Sequence, residues 1–205
     1  MDYNLPKEYL SASSINMMLR CPRQFYYRYV EGQIQPPNIA LTMGKATHSG
    51  FETYYKEKLQ GETSLLTPEQ VAELAISSFE EEAEETELSL SGPEKDEAVT
   101  NLKHIVPPYI KHVGSITDPV SVEDEIRYTT ESGIPILAYL DLIRKPNAYE
   151  QESMPNIHAA ICDYKITKKK WSHRQLKDNL QFMLYSISTG NPYVEIQNIT
   201  KTDKN

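Results

Sequence analysis

The chain has 205 residues, of which 39% are apolar and 24% are charged, and its net charge is −8. This length and composition fit one folded domain with a sizeable core and exclude a disordered chain. No apolar run approaches the roughly 18 residues that span a bilayer, and the N-terminus lacks the features of a signal peptide.

Residues 1–115 are predicted to be mainly helical. Serines at the start of "SASSINMMLRCPRQFYYRYV" suit a helix cap, and Pro22 suits the first turn of a second helix. A third helix in "MGKATHSGFETYYKEKLQG" should end at Gly61, and "TPEQVAELAISSFEEEAEETE" predicts a fourth with one apolar stripe. A fifth, starting at "GPEKDEAV", should be broken or kinked at Pro107 and Pro108.

Residues 116–205 are predicted to form a sheet core. "VSVEDEIRYTTE" and "IPILAYLDLIRK" read as two strands joined by a tight turn at Ser132 and Gly133, and "NAYEQESMPN" reads as a loop. "IHAAICDYKIT" is typical of a central strand, "SHRQLKDNLQFMLYSISTG" of a helix ending at Gly190, and "YVEIQNITK" of a last strand. The sequence predicts an α/β (α+β) fold, a sheet with helices packed on it, as one domain over 1–205.

The charge is unevenly distributed. The segment "EEEAEETE" carries six carboxylates in eight residues, whereas Lys165 to Lys177 holds six Lys or Arg and no acid. The net charge alone argues against a nucleic-acid partner. Either run is explained by a solvated face, but together they predict a surface with an acidic and a basic side.

Three charged residues lie within apolar strand sequence. Asp163 and Lys165 are two positions apart and therefore point to the same face, and Asp141 lies inside "AYLDLI". A single aspartate of this kind is usually a strand-end residue or the partner of a nearby lysine. Two carboxylates and a lysine on one patch instead suit a divalent cation, with the lysine stabilising an oxyanion, as in metal-assisted phosphodiester hydrolysis.

Five motifs together resemble one family. "DYK" with the upstream "LDLI" resembles the core of the PD-(D/E)XK nuclease superfamily. "LSASSINMMLRCPRQFYYRYV", "GKATH" and "QFMLY" resemble, in order, the opening, the G-x-x-x-H motif and the Q-x-x-x-Y motif of its RecB-like branch, which includes CRISPR-associated exonucleases. The resemblance runs from Leu10 to Tyr185 and implies a restriction-endonuclease-like core, a central mixed sheet flanked by helices.

The resemblance assigns a role to each matching residue. His48, Asp141, Asp163 and the backbone carbonyl of Tyr164 would bind Mg²⁺ or Mn²⁺, and Lys165 would be the catalytic lysine. By chemistry alone, His48 reads as an ordinary surface or core histidine.

Further residues would support the site or bind DNA. Gln181 and Tyr185 share a helix face that would hold the DNA and Lys165, or simply pack in the core. Glu125 is a candidate second-shell or second-metal carboxylate, although a surface position suits it better. Basic residues after the active strand are expected to contact phosphates: Lys168, Lys169, Lys170 and Arg174.

An iron–sulfur cluster is not expected. Relatives with the "CPRQF" opening bind a cluster through that cysteine and three more near the C-terminus, and about four thiolates are needed. This chain has only Cys21 and Cys162, which predicts free thiols in a reducing, cytoplasmic compartment.

The sequence therefore predicts a metal-dependent deoxyribonuclease, an exonuclease acting on DNA ends in repair, recombination or defence. Protein partners in a repair or CRISPR-type complex are compatible with this prediction, and a membrane partner is not. Two alternatives stay open at this stage: a non-catalytic DNA-binding or scaffold protein that kept the fold, and a nuclease for RNA.

Overall fold

The computed structural model describes residues 7–61, 66–167 and 169–200. It has an N-terminal helical part followed by a four-stranded mixed sheet with two further helices on its second face, a mixed α/β architecture as the sequence predicted. Among these residues, no helix combines the length and the apolar character that a membrane span requires.

The described residues of the helical part form five α-helices. They are α1 (Ala12–Arg20), α2 (Pro22–Phe25), α3 (Ile39–Gln60), α4 (Pro68–Glu85) and α5 (Gly92–Tyr109). Each of the predicted capping signals is used: Ser11 caps α1 in a reciprocal capping box, and Gly61 ends α3 with a left-handed φ of 70°. α2 continues into a π-helical turn over Tyr26–Val30.

Of the predicted break or kink at the two prolines, the break is wrong. α5 runs through Pro107 and Pro108 to Tyr109, and a π-helical turn, Ile110–Gly114, follows it. Proline removes a backbone donor from a helix, and the helix accommodates this loss by changing its hydrogen-bond pattern one turn later. The helical backbone therefore continues through the prolines without an interruption.

The sheet has the order β1-β2-β3-β4. Its strands are β1 (Pro119–Thr129), β2 (Pro135–Arg144), β3 (Ala160–Thr167) and β4 (Val194–Thr200). β1, β2 and β3 pair antiparallel, and β4 pairs parallel to β3. A parallel pair needs a crossover connection, which α7 (His173–Lys177) and α8 (Leu180–Thr189) supply.

Two predicted segments differ from the structure. The predicted loop after β2 contains a short helix, α6 (Ala148–Ser153), because Asn147 and Glu150 form a capping box. The single helix predicted before Gly190 is two, α7 and α8, because the side chain of Asn179 accepts a hydrogen bond from the Phe182 amide and starts a new helix.

Two apolar clusters cover the sheet. The larger lies between α3, α4, α5 and one face, and contains Phe51, Phe79 and Tyr164. The smaller lies against α8 and contains Leu140, Ile161 and Phe182. β3 contributes to both clusters, which confirms the prediction of a central strand covered on both faces.

A buried ionic group joins three elements at one end of the sheet. The Nη2 atom of Arg144 lies 2.6 Å from Oε1 of Glu150 in α6 and 2.7 Å from Oε2 of Glu195 in β4. Arg144 and Glu150 are each 7% exposed. The hydrogen bonds from Arg144 hold the pKa of Glu150 well below its usual value, at about 2.

Candidate active site

The candidate site forms where β2 and β3 separate. Their backbone pairing covers Arg144 to Leu142 on β2 and ends at the pair formed by Leu142 and Cys162. The next residue on each strand is an aspartate, Asp141 and Asp163. The two carboxylates therefore stand opposite each other at the point where the ladder opens.

The opening of the ladder also gives the backbone of Tyr164 side-chain partners. The amide of Tyr164 donates to Oδ2 of Asp141 at 2.8 Å, in place of a β2 carbonyl. The carbonyl oxygen of Tyr164 lies 3.2 Å from Nε2 of His48. A side chain thus substitutes for the missing strand, and a main-chain oxygen becomes available beside the two carboxylates.

His48 approaches from α3. Its Nδ1 atom lies 3.5 Å from Oδ1 of Asp141, and its ring packs edge-on against Tyr164 at 5.5 Å between centroids. Burial lowers the pKa of His48, but the hydrogen bond and charge of Asp141 outweigh burial, so the pKa is raised overall. The predicted set of His48, Asp141 and the Tyr164 carbonyl is therefore in contact.

Asp163 is buried and poorly compensated. It is 1% exposed, and neither of its carboxylate oxygens has a hydrogen-bond partner among the described residues. The Nζ atom of Lys165 lies 2.7 Å from Oδ2 as an ion pair without hydrogen-bond geometry. Burial raises the pKa of Asp163, an effect that Lys165 opposes and Asp141 reinforces.

These donors fit a hard divalent cation. Two carboxylates, a main-chain carbonyl and an imidazole are ligands that Mg²⁺ and Mn²⁺ accept in proteins. An ionised carboxylate without hydrogen bonds is costly in a protein interior, and a cation would offset that cost. The buried oxygens of Asp163 are the observation that supports this fit.

An open cleft gives access to the site. Its volume is about 540 Å³, and His48, Asp141, Asp163 and Lys165 line it. The opposite wall comes from the N-terminal segment, which is attached to the sheet by two backbone hydrogen bonds, Leu10 N to Pro135 O at 2.9 Å and Leu137 N to Leu10 O at 2.8 Å. The cleft also carries aromatic rings at its sides: Tyr9, Phe25, Tyr29 and Tyr139.

Gln181 and Tyr185 also line this cleft. The Tyr185 hydroxyl donates to the carbonyl of Tyr139 at 2.8 Å and accepts from Nε2 of Gln181 at 2.5 Å. The pair thus fixes β2 next to Asp141, and Tyr185 is 2% exposed. Tyr185 therefore packs in the core, and the role of this helix face in holding the DNA and Lys165 stays a prediction.

The predicted basic residues lie outside the residues that line the cleft. Lys169 and Lys170 are exposed, and the Nε atom of Arg174 lies 3.7 Å from Asp178 at the surface. Lys168 lies outside the described residues. Arg174 lines a separate surface depression with Trp171, next to Asn16, and Asn16 also lines the cleft.

Glu125 does not join the site. It is exposed, and it accepts hydrogen bonds from Arg127 at 2.7 Å and from Tyr139 at 2.9 Å, as suits a surface glutamate. The glutamate near the site is Glu123, two residues earlier. A ligand atom of Glu123 lies within 4.8 Å of those of His48 and Asp141.

Strand alternation could not have distinguished Glu123, because β1 does not alternate there. In a regular strand, residues an even number of positions apart lie on the same face. Val122 and Ile126 are an even number of positions apart, but Val122 packs in the larger apolar cluster and Ile126 in the smaller one. Leu142 and Leu140 on β2 differ in the same way. Glu123 has a φ of 53°, so both strands change face beside Asp141.

The cysteines are separate from the site. Cys162 is buried in the larger cluster, on the opposite side of β3 from Asp163, and its Sγ donates to Oε1 of Glu195 at 2.9 Å. Cys21 precedes α2 and is half-buried.

Comparisons with known proteins bear on the family and the fold of this chain. Residues 9–190 match the family model of the PD-(D/E)XK nuclease superfamily. No curated protein matches the chain. A crystal structure of a Eubacterium rectale protein named "Putative exonuclease" is similar in fold, with a TM-score of 0.60 and 12% identity over 96% of this chain and 70% of that one. The family match spans most of the sequence, and the chain belongs to the PD-(D/E)XK nuclease superfamily.

Proposed function

We propose that the protein is a divalent-metal-dependent deoxyribonuclease that acts on DNA ends. The observation that carries the proposal is the buried carboxylate of Asp163, whose polar contact among the described residues is the 2.7 Å ion pair with Lys165 and which lies opposite Asp141. An inert scaffold would gain stability from an apolar residue at this position. A role in binding a divalent cation explains why a charged residue, Asp163, occupies this buried position.

Each residue has a task in hydrolysis. Asp141, Asp163, the Tyr164 carbonyl and His48 would hold Mg²⁺ or Mn²⁺, which supplies positive charge for the phosphate oxygens. Lys165 reaches the cleft with its ammonium group beside Asp163, where it can stabilise charge that develops on the phosphate. Tyr185 and Gln181 keep β2 and the Asp141 carboxylate in place.

The cleft favours a strand end as substrate. The site lies in a recess between the sheet and the N-terminal wall, and Tyr9, Tyr29 and Tyr139 line it. Unpaired bases stack on such rings with little dependence on sequence. The name of the similar Eubacterium rectale structure agrees with an exonuclease, although that likeness extends only to the fold.

The test uses matched DNA substrates. Linear single-stranded, linear duplex and circular single-stranded DNA, together with linear RNA, each labelled, are incubated with the protein in Mn²⁺, Mg²⁺ or EDTA. We expect metal-dependent release of short products from linear DNA only, and loss of the reaction in Asp163→Asn but not in Glu125→Gln. Cleavage of the circle would contradict an exonuclease, cleavage of RNA alone would contradict a deoxyribonuclease, and binding without cleavage would favour a scaffold.

A further inference from the structure

One edge of the sheet is unpaired in the described part of the chain. β4 is the last strand in the order β1-β2-β3-β4 and pairs there only with β3. Just before β4, the carbonyl of Tyr193 accepts from the Ile161 amide of β3 at 3.1 Å. Because backbone groups alternate in direction along a strand, every second residue of β4 directs its N–H and C=O groups away from β3. These outward-facing groups belong to Val194, Ile196 and Asn198, and they have no hydrogen-bond partner among the described residues.

β4 lacks the features that protect an edge strand. Natural edge strands carry lysine, proline or a bulge that opposes the addition of another strand. The sequence of β4, VEIQNIT, contains neither lysine nor proline, and its pairing with β3 runs from end to end without a register shift. Its one charged residue, Glu195, is compensated by the ion pair with Arg144. β4 itself therefore offers no charge or backbone irregularity that would oppose a further strand.

An apolar groove runs beside this edge. It lies between α8 and β4, and its volume is about 970 Å³. Met183 and Ile187 lie one helical turn apart on α8 and are 44% and 56% exposed at this groove. Further apolar residues line it: Leu176, Phe182, Val194 and Ile196. A strand added to β4 would extend the sheet beneath the groove, and its side chains on the α8 face would cover the two exposed residues.

The strand that fits this edge is β4 of a second copy. An added strand must place apolar side chains on the α8 face, and β4 does so with Val194 and Ile196, which pack in the smaller cluster. Two copies related by a two-fold axis normal to the sheet pair antiparallel and keep α8 on the same face of the joined sheet.

The charges of β4 are compatible with this self-pairing. With the two-fold axis at Ile196, Glu195 lies opposite Gln197 of the other copy. With the axis at Gln197, Glu195 lies opposite Ile199. Neither register opposes two like charges, and both set the outward-facing backbone groups of the two strands opposite each other, as antiparallel hydrogen bonds require.

We propose that the β4 edge and the groove beside it form the interface of a homodimer, in which two four-stranded sheets join into one of eight strands. Met183 and Ile187 of the two copies would face each other across the two-fold axis and lose their exposure to water. The residues that line the groove are all different from those that line the cleft of the candidate active site. The proposal therefore goes beyond the proposed nuclease function and does not rest on it.

Oligomeric state and amide exchange test the proposal together. Light scattering after size exclusion, over a dilution series, should give twice the mass of one chain at high concentration. Hydrogen exchange followed by NMR should show protected amides at Val194, Ile196 and Asn198 in the dimer, and these amides should exchange faster on dilution. The amides of Glu195 and Gln197 face β3 and should stay protected at every concentration.

Two variants and one control identify the surface. Ile187→Lys places a charge in the groove at an exposed position, so the protein should fold and be a monomer. Ile196→Pro removes an outward-facing amide and keeps the pairing with β3, and it should also be a monomer. Ile116→Lys is the matched control, because Ile116 is 81% exposed and precedes β1 at the opposite edge of the sheet. This control should stay a dimer.

Three results would overturn the proposal. The first is a wild-type protein that is monomeric throughout the dilution series. The second is a dimer that persists in Ile187→Lys, or one in which the outward-facing amides of β4 exchange freely, because the interface would then lie elsewhere. The third is a monomer in which these amides are protected, because another segment of the chain would then cover the edge.

Discussion

The Asp163→Asn substitution should stabilise the metal-free protein although it removes a residue of the proposed site. In the wild type, the Asp163 carboxylate is 1% exposed and has no hydrogen bond among the described residues. Asparagine has nearly the same shape and no charge. The substitution therefore removes a desolvated anion without leaving a cavity.

The size of the effect follows from two opposing contributions. The asparagine amide remains a buried polar group, which costs about 1–3 kcal/mol without partners, so the substitution removes only the additional cost of the charge. The ion pair with Lys165 is lost, but the lysine side chain is 26% exposed, so water can solvate it at a cost of about 1 kcal/mol or less. We expect a net gain of about 1–2 kcal/mol, which raises the Tm by about 2–8 °C in a chain of this size.

In the presence of a divalent cation, the wild type should become more stable than Asp163→Asn. At a Mn²⁺ concentration 100 times the Kd, binding stabilises the wild type by about 2.7 kcal/mol. Asp163→Asn should lose most of this gain. Thermal unfolding followed by circular dichroism, in EDTA and in Mn²⁺, measures both effects.

Asp118→Asn is the matched control. Asp118 is an exposed aspartate whose side chain is 60% exposed and lies 2.8 Å from Lys145. The Asp118→Asn substitution should change neither the Tm in EDTA nor the shift of the Tm in Mn²⁺. The reasoning is refuted if Asp163→Asn is the less stable protein in EDTA, or if it shows the full wild-type shift in Mn²⁺.

Three further predictions follow from single residues. Lys165→Met should bind Mn²⁺ as the wild type does in calorimetry and lose about 10²-fold or more in cleavage rate, because its charge acts on the transition state; a collapse of Mn²⁺ binding would contradict this role. Glu150→Gln should lower the free energy of unfolding by about 3 kcal/mol at pH 7, because it leaves the buried charge of Arg144 less compensated. Since the folded-state pKa of Glu150 is lowered to about 2, its contribution is present above pH 4.5 and lost as the pH falls towards 2; urea unfolding curves for both proteins should converge over that range, and parallel curves would argue against it. Tyr185→Phe should cost about 1–2 kcal/mol, because the carbonyl of Tyr139 loses its donor; an unchanged urea midpoint would show that this hydrogen bond is dispensable.

The fold was largely predictable because its signals are local. The capping serine of α1, the left-handed Gly61 and Gly190, and the turn at Gly133 each act within a few residues. The errors came from competing local signals. Asn147 starts a helix inside an apparent loop, and Asn179 divides an apparent single helix.

The candidate site was predictable only in part. Asp141, Asp163 and Lys165 were recognisable because charges are conspicuous in apolar strands. Glu123 was not recognisable, because "VEDEIRY" offers three consecutive acidic residues. The alternation of side chains that would select one of them fails at Glu123, which has a positive φ. The register of three strands decides which glutamate faces His48, and that register is a property of the tertiary structure.

The separation of β2 from β3 has a consequence for the order of folding during synthesis. Beyond Cys162, the β3 segment that carries Asp163 and Lys165 has no backbone ladder with β2, whereas β4 pairs with it from Ile161 to Thr167. A chain still attached to the ribosome with β4 inside the exit tunnel can build α1 to α5 and the β1–β2 hairpin, but it lacks the strand that aligns these two residues. We expect nascent chains to acquire metal affinity only after β4 has emerged from the tunnel.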